Sequence, residues 1–462
     1  MVRMSNAEAI MWAVEKDPAL RSDFCNLTLL DRRPTEDRIE ATMARGLAAI
    51  PRLRQRVVAA PLRITTPEFA EDPTLDIGAH LRTVGVPSPG DARALLDLCG
   101  SLAEQPFDRA RPLWEFTLID GLPDGRTALL QKLHHTITDG VGGLRLSLSL
   151  VDLERNPPPD ETATADVAAD DQPEPPTTSP VGVTRDAVLD AAHRSADAMR
   201  RALDTTSHVV SHPNEVPARA ADLARLLGSL QRQLLVTDVA HSDVMTARSL
   251  RRHFATHEIA LAPLRAGATK LGGSVNDAFI TAVASALGRY HARHGSDATE
   301  LRLAMPVSTR EKGDTGTNRF VPARVLVPIQ PADDIPMLFD LVHDRLDTAK
   351  HESAFTAADA LAGIVSALPT ALLVAITRSQ TRTIDFAASN LRGSPVPLYL
   401  AGARILASYP FGPRTGSALN VTMLSYCDDV HIGCNLDPAA IVDPSTFMRD
   451  IADAFAAFDA FC

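Results

Sequence analysis

The residues best suited to chemistry in this chain are His134-His135-Thr136-Ile137-Thr138-Asp139-Gly140: two imidazoles, an acid and a glycine. A neutral histidine takes a proton from an alcohol near pH 7. The residues before the pair, 126–133, form an apolar run that reads as a buried strand. Adjacent strand side chains point to opposite faces. If the strand runs to its end, His134 and His135 cannot both reach one small site. The spacing therefore predicts one working imidazole and speaks against a metal pair. Val141, Leu144, Leu148 and Val151 recur at helical spacing, so a helix is predicted to open at the glycine. Asp139 reads either as the N-cap of that helix or as the group that fixes the loop or the ring tautomer.

A second junction lies at Gly272-Gly273-Ser274-Val275-Asn276-Asp277. Ser274 and Asp277 have the spacing of a capping box, so Asp277 has a structural reading as a cap. Asn276 has less structural excuse. A helix start is well placed to organise polar groups around a substrate. Phe279, Val283, Ala286, Leu287 and Tyr290 supply the core face of the helix that follows. Trp114, in Pro112-Leu113-Trp114-Glu115, is expected in the core, as large aromatics usually are.

Several elements must position these groups. Residues 113–120 and 126–134 frame Leu122-Pro123-Asp124-Gly125, a hairpin turn that would hold the histidine strand by local pairing. Residues 5–15 read as a helix with Ile10, Met11 and Val14 inward, and 25–30 as a strand. Pro34-Thr35 starts a helix with Ile39, Met43, Leu47 and Ile50 on one face, ended by Pro51. The basic stretch 51–57 reads as a solvated strand edge. Residues 91–102 form another amphipathic helix. The basic stretch 250–254 reads as a solvated edge, with contact to the phosphates of a nucleotide-bearing substrate as the functional alternative. Residues 301–308 form a strand. Val321, Ala323, Val325, Val327 and Ile329 alternate as a strand with one buried face does. Asp443 and Pro444 cap a last helix with Phe447, Ile451, Phe455 and Phe458 inward.

At 462 residues the chain exceeds one ordinary core. Residues 156–184 are rich in Pro, Asp, Glu, Ala and Thr and read as a disordered linker. The expected division is a first lobe at 1–155, that linker, and crossover helices with a second lobe at 185–462. A hydrophobic content of 45% with 22% charged residues is that of a soluble globular protein. A net charge of −11 argues against nucleic acid as the main partner. No run approaches the roughly 18 apolar residues of a membrane helix, and the first residues lack the apolar core of a signal peptide. Five scattered cysteines match no zinc pattern, so reduced thiols in the cytoplasm are expected.

The His-His-x-x-x-Asp-Gly pattern at 134–140 resembles that of the bacterial wax ester synthase/diacylglycerol acyltransferase family, within the wider group of CoA-dependent acyltransferases and peptide-synthetase condensation domains. Pro-Leu-Trp-Glu at 112–115, Asn276-Asp277 and Ala401-Gly402-Ala403 extend the resemblance over most of the chain. It implies an α/β fold of two similar lobes, each a mixed sheet with helices, with an active-site tunnel between them. It also implies His135 as general base, with His134 beside it in the catalytic motif, and a mainly structural role for Asp139. The implied reaction is acyl transfer from acyl-CoA, as co-substrate, to diacylglycerol or a long-chain alcohol, with no cofactor and no metal. Chain sequence shows no nucleophile in a recognisable elbow, so direct transfer is expected rather than an acyl-enzyme. Asn276 and the backbone near Gly140 are the candidate oxyanion donors. Peripheral contact with the inner membrane or lipid bodies is compatible with such substrates. Three alternatives stay open: another donor or acceptor, such as a carrier-bound acyl group or a polyketide diol; a condensation-type enzyme making amides; and a catalytically silent lipid-binding protein on the same fold.

Overall fold

The computed structural model describes residues 2–59, 66–137, 149–157, 241–308, 320–329, 334–351 and 370–461. The expected linker falls almost wholly outside these residues, as do the crossover helices and the first turns of the helix expected after Gly140.

The chain opens with β1 (Val2–Arg3) and α1 (Asn6–Val14). Ser5 caps α1, and Glu8 closes a capping box by accepting from the Ser5 amide at 2.7 Å. Ala9, Ala13 and Val14 are the buried apolar positions, while the expected Ile10 and Met11 are only half-buried. Next come β2 (Asp23–Leu30), α2 (Glu36–Ala49), β3 (Gln55–Val58) and β4 (Glu68–Glu71). Ile39, Met43 and Leu47 are buried as their spacing predicts. A short helix α3 (Ile77–His80), β5 (Leu81–Gly85) and α4 (Ala92–Glu104) lead to β6 (Trp114–Asp120) and β7 (Thr127–His134). The turn between β6 and β7 needs positive φ at two successive residues, and Asp124 and Gly125 supply it. Aspartate is among the few side chains that tolerate this region, and glycine meets no Cβ penalty there. Val151, expected in a helix, instead lies in β8 (Val151–Asp152).

The second half holds β9 (His253–Ala260), α5 (Leu261–Lys270), α6 (Val275–Arg293), β10 (Glu300–Ser308), β11 (Phe320–Pro328), α7 (Ile335–His351) and α8 (Thr370–Arg382). It continues with β12 (Phe386–Arg392), β13 (Tyr399–Leu400), β14 (Ala403–Phe411), β15 (Leu419–Tyr426), β16 (Asp429–Leu436) and α9 (Pro444–Ala456). In β11, Ala323, Val325 and Val327 are buried and Arg324 is exposed, as the alternation predicts.

These strands form two large mixed sheets, flanked by helices, as the two-lobed α/β expectation requires. The first runs β5-β6-β7-β2-β14-β13-β8, with β5 and β6 parallel. The second runs β11-β10-β12-β15-β16-β9, with β12 parallel to both neighbours. A small third sheet, β1-β4-β3, flanks the first. Helix α2 packs on one face of the first sheet, where Leu129, Leu133 and Phe116 point. Helix α4 packs on the other, against Leu27, Ala128 and Leu130. In the second lobe α6 is the central helix, buried on nearly every side.

The sheets do not divide where the linker does. Strands β13 and β14 belong to the late part of the chain, yet β14 pairs with β2 and β13 with β8 in the first sheet. Strand β14 also lies against β16 of the second sheet, where Gly433 leaves no room for a Cβ beside the Pro410 carbonyl. A side chain at Gly433 would push the two sheets apart.

Candidate active site

Strand β7 is buried at every residue and sits between β6 and β2. It delivers His134 as its last residue, opposite Asp23 on β2. The His134 amide donates to the Leu113 carbonyl at 3.1 Å. The chain then turns: Ile137 N–H donates back to the His134 carbonyl at 2.9 Å. His135 sits in the turn, and its amide donates to the Ser22 carbonyl at 3.1 Å.

The two histidines have different fates. His134 is 1% exposed. Its Nδ1 accepts the Thr136 amide at 3.1 Å and lies 2.7 Å from Thr136 Oγ1. A ring nitrogen that accepts an amide proton carries none itself, so the ring proton is on Nε2, which donates to Glu15 Oε1 at 2.6 Å. Trp12 and Phe107 stand edge-on to the ring at 6.4 and 6.3 Å. Both nitrogens of His134 are committed within the protein. The His135 ring is half-buried and lies 4.9 Å from Phe24.

The turn is held by residues from far away in the chain. Arg52 donates to the Thr136 carbonyl at 2.6 Å and pairs with Glu8 at 2.9 Å, with its guanidinium 3.8 Å over the Phe69 ring. The basic stretch at 51–57 is a strand edge only in its second part, where β3 is the outer strand of the small sheet; residues Pro51–Arg54 form a 3-10 turn, and Arg52 faces inward onto the histidine turn. A small cavity of about 60 Å³ lies behind His134, lined by Trp12, Glu15, Arg21, Asp23 and Phe107 among others. Asp23 pairs with Arg252 at 2.7 Å, both nearly fully buried. Arg252 was expected at a solvated or phosphate-binding edge; it instead ties the start of β9 to β2. Pairing satisfies a guanidinium that would be costly to bury alone.

Electrostatics favour an ionised Glu15. Burial pushes its carboxyl up, but the hydrogen bond from His134, the Ser22 amide and the Arg109 guanidinium outweigh this and hold it below its ordinary range. The cysteines are poor nucleophiles for the opposite reason. Burial pushes Cys25 and Cys434 up to about 12 and raises Cys99 and Cys427 as well. All four are free thiols.

The remaining sequence candidates are spread over both lobes. Asp139 and Gly140 lie outside the described residues. Trp114 is fully buried in the first lobe; its Nε1 donates to the Leu53 carbonyl at 2.9 Å, and its ring stacks on His80 at 4.5 Å. Asp277 is 1% exposed and closes a capping box on α6: its Oδ2 accepts from the Ser274 amide and hydroxyl, both at 2.8 Å, and lies 3.1 Å from His343 Nδ1. Asn276 is half-buried beside it, and its amide has a weak partner in Met305 Sδ at 3.9 Å. Glu15, Ser22, Arg52 and Arg252 were not anticipated as site residues. Glu15 was visible only as a helix end, and the two arginines only as positive charge. Among the described residues, no group of three or more His, Cys, Asp or Glu side chains is arranged to hold a metal ion. No helix among them is long and apolar enough to cross a membrane.

Comparison with known proteins gives the family and the fold. The model of the wax ester synthase/diacylglycerol acyltransferase catalytic domain matches residues 4–279, and that of the C-terminal domain of the same proteins matches 317–459. A Mycobacterium tuberculosis protein named as a diacylglycerol O-acyltransferase is 32% identical over 450 residues, covering 96% of this chain and 89% of the relative. Another so named from the same organism is 26% identical over 439 residues, covering 92% and 88%. Among solved structures, the wax ester synthase/diacylglycerol acyltransferase of Marinobacter aquaeolei VT8 superposes with a TM-score of 0.63 at 21% identity, over 99% of both chains. A starter condensation domain of rhizomide synthetase, solved in complex with an acyl-CoA, shares the fold with a TM-score of 0.56 at 14% identity, over 100% of this chain and 94% of that one.

Proposed function

The chain belongs to the wax ester synthase/diacylglycerol acyltransferase family, and on that premise we propose that it esterifies diacylglycerol or a long-chain alcohol with His135 as general base. The protein is an O-acyltransferase that uses acyl-CoA. The observation that carries the residue assignment is the unequal fate of the histidine pair. His134 spends both ring nitrogens on Glu15 and Thr136. His135 is half-exposed at the tip of a turn whose backbone is pinned on several sides.

Derived from those residues, the reaction runs as follows. The His135 imidazole removes the acceptor's hydroxyl proton as the oxygen attacks the thioester carbonyl. A C–O bond forms and the carbonyl π pair moves onto oxygen. Asn276 and the backbone near Gly140 are the proposed donors to that oxyanion. As the intermediate collapses, the C–S bond breaks. The imidazolium then returns its proton to the departing thiolate, leaving an ester and free CoA. High thiol pKa values at the buried cysteines favour this direct transfer over a cysteine acyl-enzyme. Acyl-CoA serves as co-substrate, and peripheral contact with the inner membrane or lipid bodies would give access to the lipid acceptor.

The test is thiol release from palmitoyl-CoA with and without a diacylglycerol or a long-chain alcohol, with the lipid product identified. Acceptor-dependent release with formation of a triacylglycerol or wax ester is the expected result. Equal release without acceptor would make the protein a thioesterase. An amide product from an amine acceptor would favour condensation chemistry. No turnover with any acceptor would favour a silent lipid-binding role.

A further inference from the structure

We propose that Glu15 is a positioning residue for acyl transfer, a buried carboxylate that sets the orientation of His135 by holding the His134 ring and the Ser22 backbone at once. The proposal rests on His135 being the base.

Glu15 follows the last residue of α1 as its C-cap, and its side chain is only 7% exposed. Nothing local explains an acid there. The C-terminal end of a helix carries partial negative charge, so a carboxylate is disfavoured at that position, and α1 has no basic residue in its last turn to offset it. Partners distant in sequence account for the residue instead. Oxygen Oε1 accepts from His134 Nε2 at 2.6 Å and from the Ser22 amide at 2.7 Å. Oxygen Oε2 receives the Arg109 guanidinium at 3.1 Å.

Those two bonds to Oε1 reach His135 from both sides. Through the His134 ring, Glu15 fixes the nitrogen that accepts the Thr136 amide, and so the course of the backbone just after His135. Through Ser22, it fixes the carbonyl that receives the His135 amide at 3.1 Å. One carboxylate oxygen therefore stands a single hydrogen bond from the residue before the base and two from the base itself. The oxygen also selects the His134 tautomer, since only a ring protonated on Nε2 can donate to Glu15 and accept from Thr136 together. A reacting group displaced by about 1 Å loses on the order of a hundredfold in rate, so a small slip of this turn is read directly in catalysis.

The test compares Glu15→Met, which keeps the length and removes the acceptor, with Glu15→Gln, which keeps an acceptor oxygen. Glu15→Met is expected to lower kcat roughly thirty- to a hundredfold, with KM for acyl-CoA within about twofold of wild type. Glu15→Gln is expected to recover kcat to within about fivefold of wild type. A purely structural Glu15 would lower the amount of folded enzyme without this split between kcat and KM. Should Glu15→Met fail to fold, Glu15→Asp takes its place: it withdraws the carboxylate by one methylene and is expected to lower kcat with KM unmoved. Wild-type kcat in folded Glu15→Met or Glu15→Asp, or a Glu15→Gln variant as slow as its replacement partner, overturns the proposal while leaving the His135 assignment intact. Wild-type turnover in His135→Ala overturns both.

Discussion

The turn at 134–137 and the start of α6 at 274–277 carry the two most suggestive residue patterns in the chain, and they are held to different degrees by local and remote bonds. At α6 most of the bonds are local: Ser274 and Asp277 bond each other within one helical turn, and a single remote group, His343, reaches Asp277 at 3.1 Å. At the histidine turn they are remote. Glu15 lies 119 residues from His134, and Arg52 lies 84 residues from Thr136. A side chain consumed by its own helix end is doing a job that its spacing announces. A side chain fixed by distant groups has been placed there by the fold. The contrast separates the aspartate that caps from the turn that carries the histidine pair.

The sharpest way to break this comparison is within the histidine pair. His135→Ala is expected to lose on the order of a hundredfold or more in turnover, as for loss of a general base, with its melting temperature little changed. His134→Ala should lose more stability, because it strands the buried Glu15 and Thr136 partners, and should lose no more turnover than Glu15→Met, since the Ser22 route to His135 remains. Steady-state kinetics beside thermal unfolding measures both. A pair of variants with equal profiles would mean that the two imidazoles are not divided into a presented and a committed one.

Arg52→Ala tests whether remote anchoring carries real energy. It removes the ion-pair partner of the buried Glu8, which still accepts from the Ser5 amide, and it frees the Thr136 carbonyl. A loss of about 3 kcal/mol is expected, read as a lower denaturant midpoint at unchanged slope. A loss no larger than that of an ordinary surface arginine would show that the turn stands without it.

A pH series tests Glu15. Its folded pKa lies below the ordinary carboxylate value. The group therefore contributes stability that is fully present above the unfolded value and is lost as pH falls through the folded one. The stability gap between wild type and Glu15→Gln should be constant near neutrality and shrink below about pH 4. A gap that widens on acidification would mean that Glu15 is protonated in the fold.

The smallest effect is expected at the local motif. Ser274→Ala removes one cap and should cost about 1 kcal/mol, while turnover stays close to wild type. A large kinetic defect with normal stability would give the α6 start a more direct part in the reaction than its capping box implies.

Elements whose signals are short-range were legible in the sequence. The β6–β7 hairpin follows from an apolar run on either side of Asp124-Gly125, and α6 from its cap and the apolar face that includes Phe279, Val283 and Tyr290. The alternation in β11 and the apolar stripe of α9 were likewise set by backbone periods of two and 3.6 residues. The His-His-x-x-x-Asp-Gly pattern indicated the chemistry and its family.

What the sequence by itself determined was thus the elements and the reactive residue types, because both depend on neighbours a few positions apart. Only the tertiary structure decided that both ring nitrogens of His134 are committed, that an acid at the end of α1 meets a ring at the end of β7, and that Arg52 and Arg252 point inward. It also decided that β13 and β14 return to the first sheet. Buried charges and strand edges must find partners wherever packing brings them within hydrogen-bond distance, and that meeting has no period in the chain from which it could be read.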